Sequence, residues 1–340
     1  MGSAILDQLD TYGPDRCEAL SYEDAAAYTR RLARSHYENF TVVSWLLPRH
    51  LRDDFRHVYS FCRWADDLGD ETGDPQRSLQ LLAWWRRELD VCYEDCPRHP
   101  VFVALNRTIH RHDIPREPFD LLIDAFEQDQ RIRRYDTWEQ VLDYCRRSAD
   151  PVGRLVLYLC GYRDEQRQQL ADATCTALQL ANFWQDVRRD ILERDRVYIP
   201  RDVASAHGLD LSVMVEAVGL SASNDPSCKA CGTGRGLPLA GMRAIRPAFR
   251  STMRELVDRT QDLFTRGRGL WPLVEPAVRT DIKLFTLGGE AILRRIRRQD
   301  YDTLERRPTL GRLARIGLML RALLGKLRAG SHRSRGPATA

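Results

Sequence analysis

The chain has 340 residues, 43% hydrophobic and 29% charged, the composition of an ordinary folded globular protein. Its 52 basic residues nearly balance its 48 acidic ones, for a net charge of +4, which argues against nucleic acid as a partner. No apolar run reaches the roughly 18 residues of a membrane span, and Met1–Asp7 lacks the basic and apolar regions of a signal peptide, so a cytoplasmic protein is expected. The basic residues are almost all arginine, which suits a phosphorylated ligand, although GC-rich coding produces the same bias. Nine cysteines, an odd number scattered through apolar patterns, are expected to be free thiols.

Residues 1–20 and 329–340 are expected to be flexible termini, with one domain over 21–328. Ser21-Tyr-Glu-Asp24 has the form of a capping box and opens a helix expected through about residue 40. After Pro48 a helix is predicted from about Arg49 through Asp70, ending near Gly73-Asp-Pro75. Leu79, Leu82, Trp85 and Leu89 make the apolar stripe of a helix over 76–96, with Trp84-Trp85 read as core packing. Shorter helices follow at 100–112, broken by Pro115 and Pro118, then at 119–131 and 137–147. Pro151-Val-Gly153 enters an apolar segment from Leu155 to Cys160, and a long periodic stretch spans 164–192 before Val197-Tyr-Ile-Pro200. Residues 218–240, rich in Gly and Ser, read as a loop insertion, and helices resume at about 243–267, 273–298 and 308–328. Nothing alternates with period two and no repeat is present. The expected fold is all-α, a helical bundle around a central cavity.

Two stretches carry the chemistry. In Tyr59-Ser-Phe-Cys-Arg-Trp-Ala-Asp-Asp-Leu-Gly-Asp-Glu71, Asp66 and Asp70 stack on one helical face, as do Asp67 and Glu71. Such like charges repel, and alone they are as well explained by a solvated helix end. The second stretch, Gln179-Leu-Ala-Asn-Phe-Trp-Gln-Asp-Val-Arg-Arg-Asp190, repeats the spacing with Asp186 and Asp190 and extends the face through Asn182. Two acidic helical faces opposed across a cavity have the oxygen donors that Mg²⁺ prefers, which it completes with water and phosphate oxygens. Ions held there would neutralise a departing diphosphate.

Together these motifs resemble those of the head-to-head prenyl synthases, the squalene and phytoene synthases and their relatives, over roughly residues 30–300. The first is Tyr59-x-x-x-Arg63-x-x-Asp66-Asp67-x-x-Asp70-Glu71; the second is Gln179-x-x-Asn182-x-x-x-Asp186-x-x-x-Asp190, followed by Tyr198 in Arg-Val-Tyr-Ile-Pro. Tyr144 to Gly153 is similar to the element lining the family's prenyl cavity, and Ser35-His-Tyr-Glu-Asn-Phe40 precedes the expected Leu47-Pro48 turn. The resemblance implies the isoprenoid-synthase fold, with Mg²⁺ (or Mn²⁺) on Asp66, Asp70, Asp186 and Asp190 and support from Glu71 and Asn182. It implies that Arg63 contacts diphosphate and that Tyr59 and Tyr198 lie near the reacting carbons or the leaving group. It also places Ser35, Phe40, Tyr144, Gly153, Gln179, Asn182 and Gln185 around the substrate. A carbocation left by ionisation needs aromatic faces and a dry pocket, which agrees.

One position departs from the family pattern. Arg usually precedes the first Asp of the second motif, and here Gln185 stands there. The string Asn182-Phe-Trp-Gln-Asp-Val resembles the subgroup assigned to bacterial hydroxysqualene synthase of hopanoid pathways. This implies conversion of presqualene diphosphate and water to hydroxysqualene with release of diphosphate and no need for NADPH. A neutral residue at 185 fits a substrate with one diphosphate, or it is compensated by Arg188 or Arg189. The alternatives are a presqualene diphosphate or squalene synthase acting on two farnesyl diphosphates, a phytoene synthase, or a catalytically silent helical partner protein. No Gly-x-Gly-x-x-Gly follows a predicted strand.

Cys228-x-x-Cys231 lacks a second ligand pair for zinc and reads as coincidence in the insertion, and His36 reads as structural. The apolar and basic segment from Leu313 to Arg328 suits either an anionic membrane surface or packing on the bundle. Peripheral membrane association and contacts with other squalene-pathway enzymes are accordingly expected partners beside the prenyl diphosphate.

Overall fold

The computed structural model describes residues 5–14, 20–35, 48–223 and 237–309. The helices are α1 (Tyr22–Ser35), α2 (Arg52–Asp70), α3 (Pro75–Tyr93), α4 (Pro100–His112), α5 (Glu117–Asp129), α6 (Trp138–Ser148), α7 (Asp150–Leu159), α8 (Glu165–Arg194), α9 (Arg201–Ala206), α10 (Leu211–Ser223), α11 (Leu237–Gly267) and α12 (Pro276–Arg298). Among the described residues there is no strand, only an isolated bridge between Arg134 and Val197, so the chain is all-α as expected.

In the first half α2 is the axis, packed by α1, α3, α4 and α5. Its apolar positions Phe61, Trp64 and Leu68 are fully buried with Trp85, Phe102 and Phe119. Trp64 stacks on Trp85 at 5.3 Å and Phe61 meets Phe119 edge-on at 4.9 Å, so the Trp84-Trp85 pair belongs to the core. Buried aromatic area of this kind supplies much of the stability of such a layer. In the second half α8, 30 residues long, is the axis. The Asp164 carboxylate caps its start by accepting from the Arg167 N–H at 3.0 Å. Ala171, Ala173, Ala177 and Ala181 are all buried along it, and these small side chains let α7, α11 and α12 pack closely around it. Helix α7 joins the halves: Leu155 and Leu159 pack into the α2 core, while Leu157 packs against Ala171 of α8.

Several boundaries differ from expectation. Residues 5–14 are not loose: Leu6–Gln8 and Leu9–Tyr12 form helical turns, Ile5 is fully buried, and the Tyr28 hydroxyl donates to Gln8 at 2.8 Å. The Ser21 hydroxyl does cap α1, accepting from the Asp24 N–H at 3.2 Å. The expected extension of that helix to residue 40 lies, past Ser35, outside the described residues. Pro118 opens α5 rather than breaking a helix, because a first-turn position needs no N–H donor. The 218–240 insertion is narrower than expected, since α10 runs to Ser223 and α11 begins at Leu237. Burial of Ala217 and Val218 against the core overrides the breaking tendency of Gly219 and the serines after it. Cys228 and Cys231 fall outside the described residues. Pro308 and Thr309 are not helical, and the rest of the expected 308–328 helix is also outside. The described cysteines are free thiols, and no described helix is long and apolar enough to cross a membrane.

Candidate active site

Helix α2 presents Tyr59, Arg63, Asp66 and Asp70 down one side, with Tyr59 half-buried and Glu71 exposed at the helix end. Asp67 is different: it is buried and ion-paired to Arg63 at 2.5 Å, so it anchors the arginine instead of joining the open face. Arg63 also reaches Asp66 at 3.4 Å. Partial loss of solvent, then the Asp70 charge, pushes the Asp66 carboxyl up to about 6.

The second face lies on the last three turns of α8, where Asn182 is exposed, Asp186 half-buried and Asp190 buried. Burial, then the Asp186 charge, raises the Asp190 carboxyl to about 7. The chain leaves α8 through Asp195, held left-handed at φ 51°, and turns back toward α2. Arg194 then reaches Asp70 at 3.1 Å and Arg196 reaches the other oxygen of the same carboxylate at 3.0 Å. Two arginines at the end of the second acidic stretch thus close on an aspartate of the first, which is remote in sequence.

Behind the Asp70–Arg196 pair is a buried polar and aromatic group. The Tyr144 hydroxyl of α6 donates to Asp129 at 2.7 Å, and Arg196 pairs with the same Asp129 oxygen at 3.4 Å. The other Asp129 oxygen is buried with no hydrogen-bond partner. Burial, opposed by Arg196 and the Tyr144 hydrogen bond, lifts the Asp129 carboxyl to about 7. Tyr198 lies flat on Phe183 at 3.7 Å, with Tyr135 and Tyr144 at 5.8 and 5.7 Å. Their π faces offer the negative potential a carbocation needs.

An apolar cavity of about 130 Å³ opens between α2, α7, α8 and α12, lined by Phe55, Gly153, Leu157, Cys175, Leu178 and Phe285, with the buried Asp281 in its wall. Gly153 lines this cavity. A Cβ at this position would meet the Cys175 Sγ at 2.7 Å, so the glycine also sets how closely α7 approaches α8. Phe55 precedes Asp66 by the same number of residues as Cys175 precedes Asp186, about three turns or roughly 16 Å on either helix. A larger cleft, about 730 Å³, lies elsewhere between α9 and α10, where Leu209, Leu211 and Val215 line it together with Arg134, Arg201 and Glu216.

Gln179 is half-buried on α8, and Gln185 is buried, its amide donating to the Pro308 carbonyl at 2.6 Å. Next to it Arg307 closes on Asp186 with two guanidinium nitrogens, one of them at 2.9 Å. Ser35 is the last residue of α1, whereas His36 and Phe40 lie outside the described residues. Sequence reasoning missed Asp129, Arg194 and Arg307, and quoted Arg196 only as part of the Tyr198 motif.

Among the described residues no three His, Cys, Asp or Glu side chains converge on one point as a ready-made metal cage. The donor set is still one Mg²⁺ accepts, since this ion takes one or two carboxylates and completes its shell with water and phosphate oxygens.

The squalene/phytoene synthase family model matches residues 33–314. The hydroxysqualene synthase of Rhodopseudomonas palustris is 40% identical over 190 residues, 55% of this chain and 62% of that protein. This chain thus spans less than two thirds of that curated relative's length. The phytoene synthase of Thermus thermophilus is 32% identical over 295 residues, 86% of this chain and 91% of that protein. The crystal structure of squalene synthase HpnC from Alicyclobacillus acidocaldarius superposes with a TM-score of 0.71 at 43% identity, covering 82% of this chain and 95% of that one. The chain belongs to the squalene/phytoene synthase family.

Proposed function

We propose that the protein converts presqualene diphosphate and water to hydroxysqualene and diphosphate. The observation that carries this is the meeting of Asp70 with Arg194 and Arg196, which joins the ends of the two acidic helices about three turns from an apolar cavity between the same helices. Support for the specific reaction comes from Gln185 and from the relative named hydroxysqualene synthase.

Mg²⁺ would be held by Asp66, Asp70, Asp186 and Asp190, with Asn182 and Glu71 in support, and would neutralise the diphosphate as it leaves. Arg63 contacts the same diphosphate, where charge develops as the C–O bond breaks. Tyr59, Tyr144 and Tyr198 face the cation that remains, and Gln179, Gln185 and Gly153 shape the surrounding wall. Water then adds to the rearranged cation and loses one proton, giving the alcohol with no reductant. Ligand clefts usually measure ~300–1,000 Å³, so a long prenyl chain has to widen the 130 Å³ cavity along its Val152–Phe285 mouth, where both side chains are partly exposed. Delivery of a water-insoluble product favours peripheral contact with a membrane surface or with other enzymes of the same pathway.

Purified protein supplied with presqualene diphosphate and Mg²⁺, without nicotinamide, should release hydroxysqualene and diphosphate, and Asp66→Ala and Asp186→Ala should abolish this. A second reading, condensation of two farnesyl diphosphates, has the relative named squalene synthase in its favour. Formation of presqualene diphosphate or squalene from farnesyl diphosphate alone would establish that reading and displace ours. No turnover, with both Ala variants inert to change, would leave a silent helical partner protein.

A further inference from the structure

We propose that Arg194 is a displaceable counter-cation, resting on Asp70 until a divalent ion takes that carboxylate and then turning to the diphosphate. This rests on the metal–diphosphate reading above. The two guanidinium groups on Asp70 are not equivalent. Arg196 is buried, 9% exposed, and fixed from behind by the Asp129 carboxylate and backbone carbonyl, each at 3.4 Å. Arg194 is 39% exposed, stands on the final turn of α8, and makes its one ion pair among the described residues with Asp70. Its charge also acts on Asp66 and Asp190. Asp190 itself has no ion pair among the described residues.

A guanidinium and a divalent cation compete for the same carboxylate oxygens. Arg194 is open to solvent where Asp70 is only 9% exposed, so a divalent ion approaching from that side meets the guanidinium first and can displace it from the carboxylate. Arg194 is then unpaired at the point where the substrate brings its diphosphate, a group that guanidinium binds in bidentate fashion. Arg196, locked by Asp129, stays behind to hold α2 and α8 in register. Arg194 is thus a positioning group for the anion, and its cost is a lower affinity for metal in the empty protein.

The test uses Mn²⁺ as the spin-active probe, read by electron paramagnetic resonance without substrate, and inorganic pyrophosphate titrated at saturating Mg²⁺. Arg194→Gln should bind Mn²⁺ about fivefold more tightly and pyrophosphate about tenfold more weakly. Arg194→Lys, which keeps the charge without the fork, should recover part of the pyrophosphate affinity. Mn²⁺ affinity that does not rise in Arg194→Gln, or pyrophosphate affinity that does not fall, overturns the proposal. Asp66→Asn separates the two readings: if it binds Mn²⁺ as well as the parent protein, the metal face itself is wrongly placed, whatever Arg194 does.

Discussion

The Gln185 side-chain amide donates to the Pro308 carbonyl at 2.6 Å, one residue from the point where Arg307 closes on Asp186. The residue that departs from the family pattern therefore ties α8 to the segment after α12. That segment is well anchored, since Leu304 is buried and Gln299 donates to the Arg306 carbonyl at 2.8 Å. Arginine at 185 would set a second guanidinium beside Arg307 and lose a buried hydrogen bond. We predict that Gln185→Arg folds, loses about 1 kcal/mol in chemical denaturation, and changes the KM for prenyl diphosphate. Denaturation curves and rates with presqualene and farnesyl diphosphates check this, and identical values for parent and variant would refute it.

Gly153 offers a packing test of the cavity wall. An added methyl would press on the Cys175 Sγ at 2.7 Å and the Ala171 Cβ at 3.4 Å. Gly153→Ala should cost about 1–3 kcal/mol, the usual range for overpacking. Cys175→Ala in the same chain should recover most of it by making room. A double variant no more stable than Gly153→Ala would show that the strain lies elsewhere.

A buried chain between α2 and α4 predicts behaviour in acid. The Thr108 hydroxyl donates to Asp54 at 3.0 Å, so at 2.8 Å it must accept from His57 Nδ1–H, which leaves Nε2 unprotonated, buried and without a partner. Burial holds the His57 pKa down to about 4, against about 6.5 for an unfolded histidine. The native state thus binds fewer protons between these values. The stability it contributes is present above about pH 6.5 and is lost as pH falls toward 4. His57→Asn, which keeps a donor toward Thr108 without titrating there, should flatten that decline in thermal unfolding between pH 7 and 4.

Asp150 predicts the opposite slope. The Thr176 hydroxyl donates to it at 2.7 Å, and burial followed by the Asp172 charge pushes its carboxyl up to about 7. Its unfolded value is about 3.9, so the native state holds the extra proton. The corresponding stability is present below about pH 4 and lost as pH rises through 7. Asp150→Asn still accepts from Thr176 and cannot ionise, so its advantage over the parent should grow from pH 4 to 7 and then level off. Denaturation at pH 5 and pH 8 measures the difference; an advantage that is equal at both would count against a buried, proton-retaining Asp150.

Helical periodicity made the two axes legible before any coordinates, because the apolar positions of α2 and α8 bury where their spacing places them. The paired acids were legible for the same reason, as i,i+4 repeats on one face. Their counter-charges were not. Arg307 reaches Asp186 from 121 residues away, and Arg196 reaches Asp70 from 126, distances over which no local pattern survives. Asp129 carries no local signal in the sequence, and only the fold buries it against Tyr144. Residues 218–223 misled because serine and glycine mark loops on average, whereas Val218 had a core to enter.

Phe55 and Cys175 both line the apolar cavity and precede Asp66 and Asp186 by about three helical turns, on helices that both run from the cavity toward their acids. On the reading proposed above, a bulky side chain set one turn nearer either acid would shorten by ~5.4 Å the depth open to a hydrocarbon tail, without touching the groups assigned to the diphosphate.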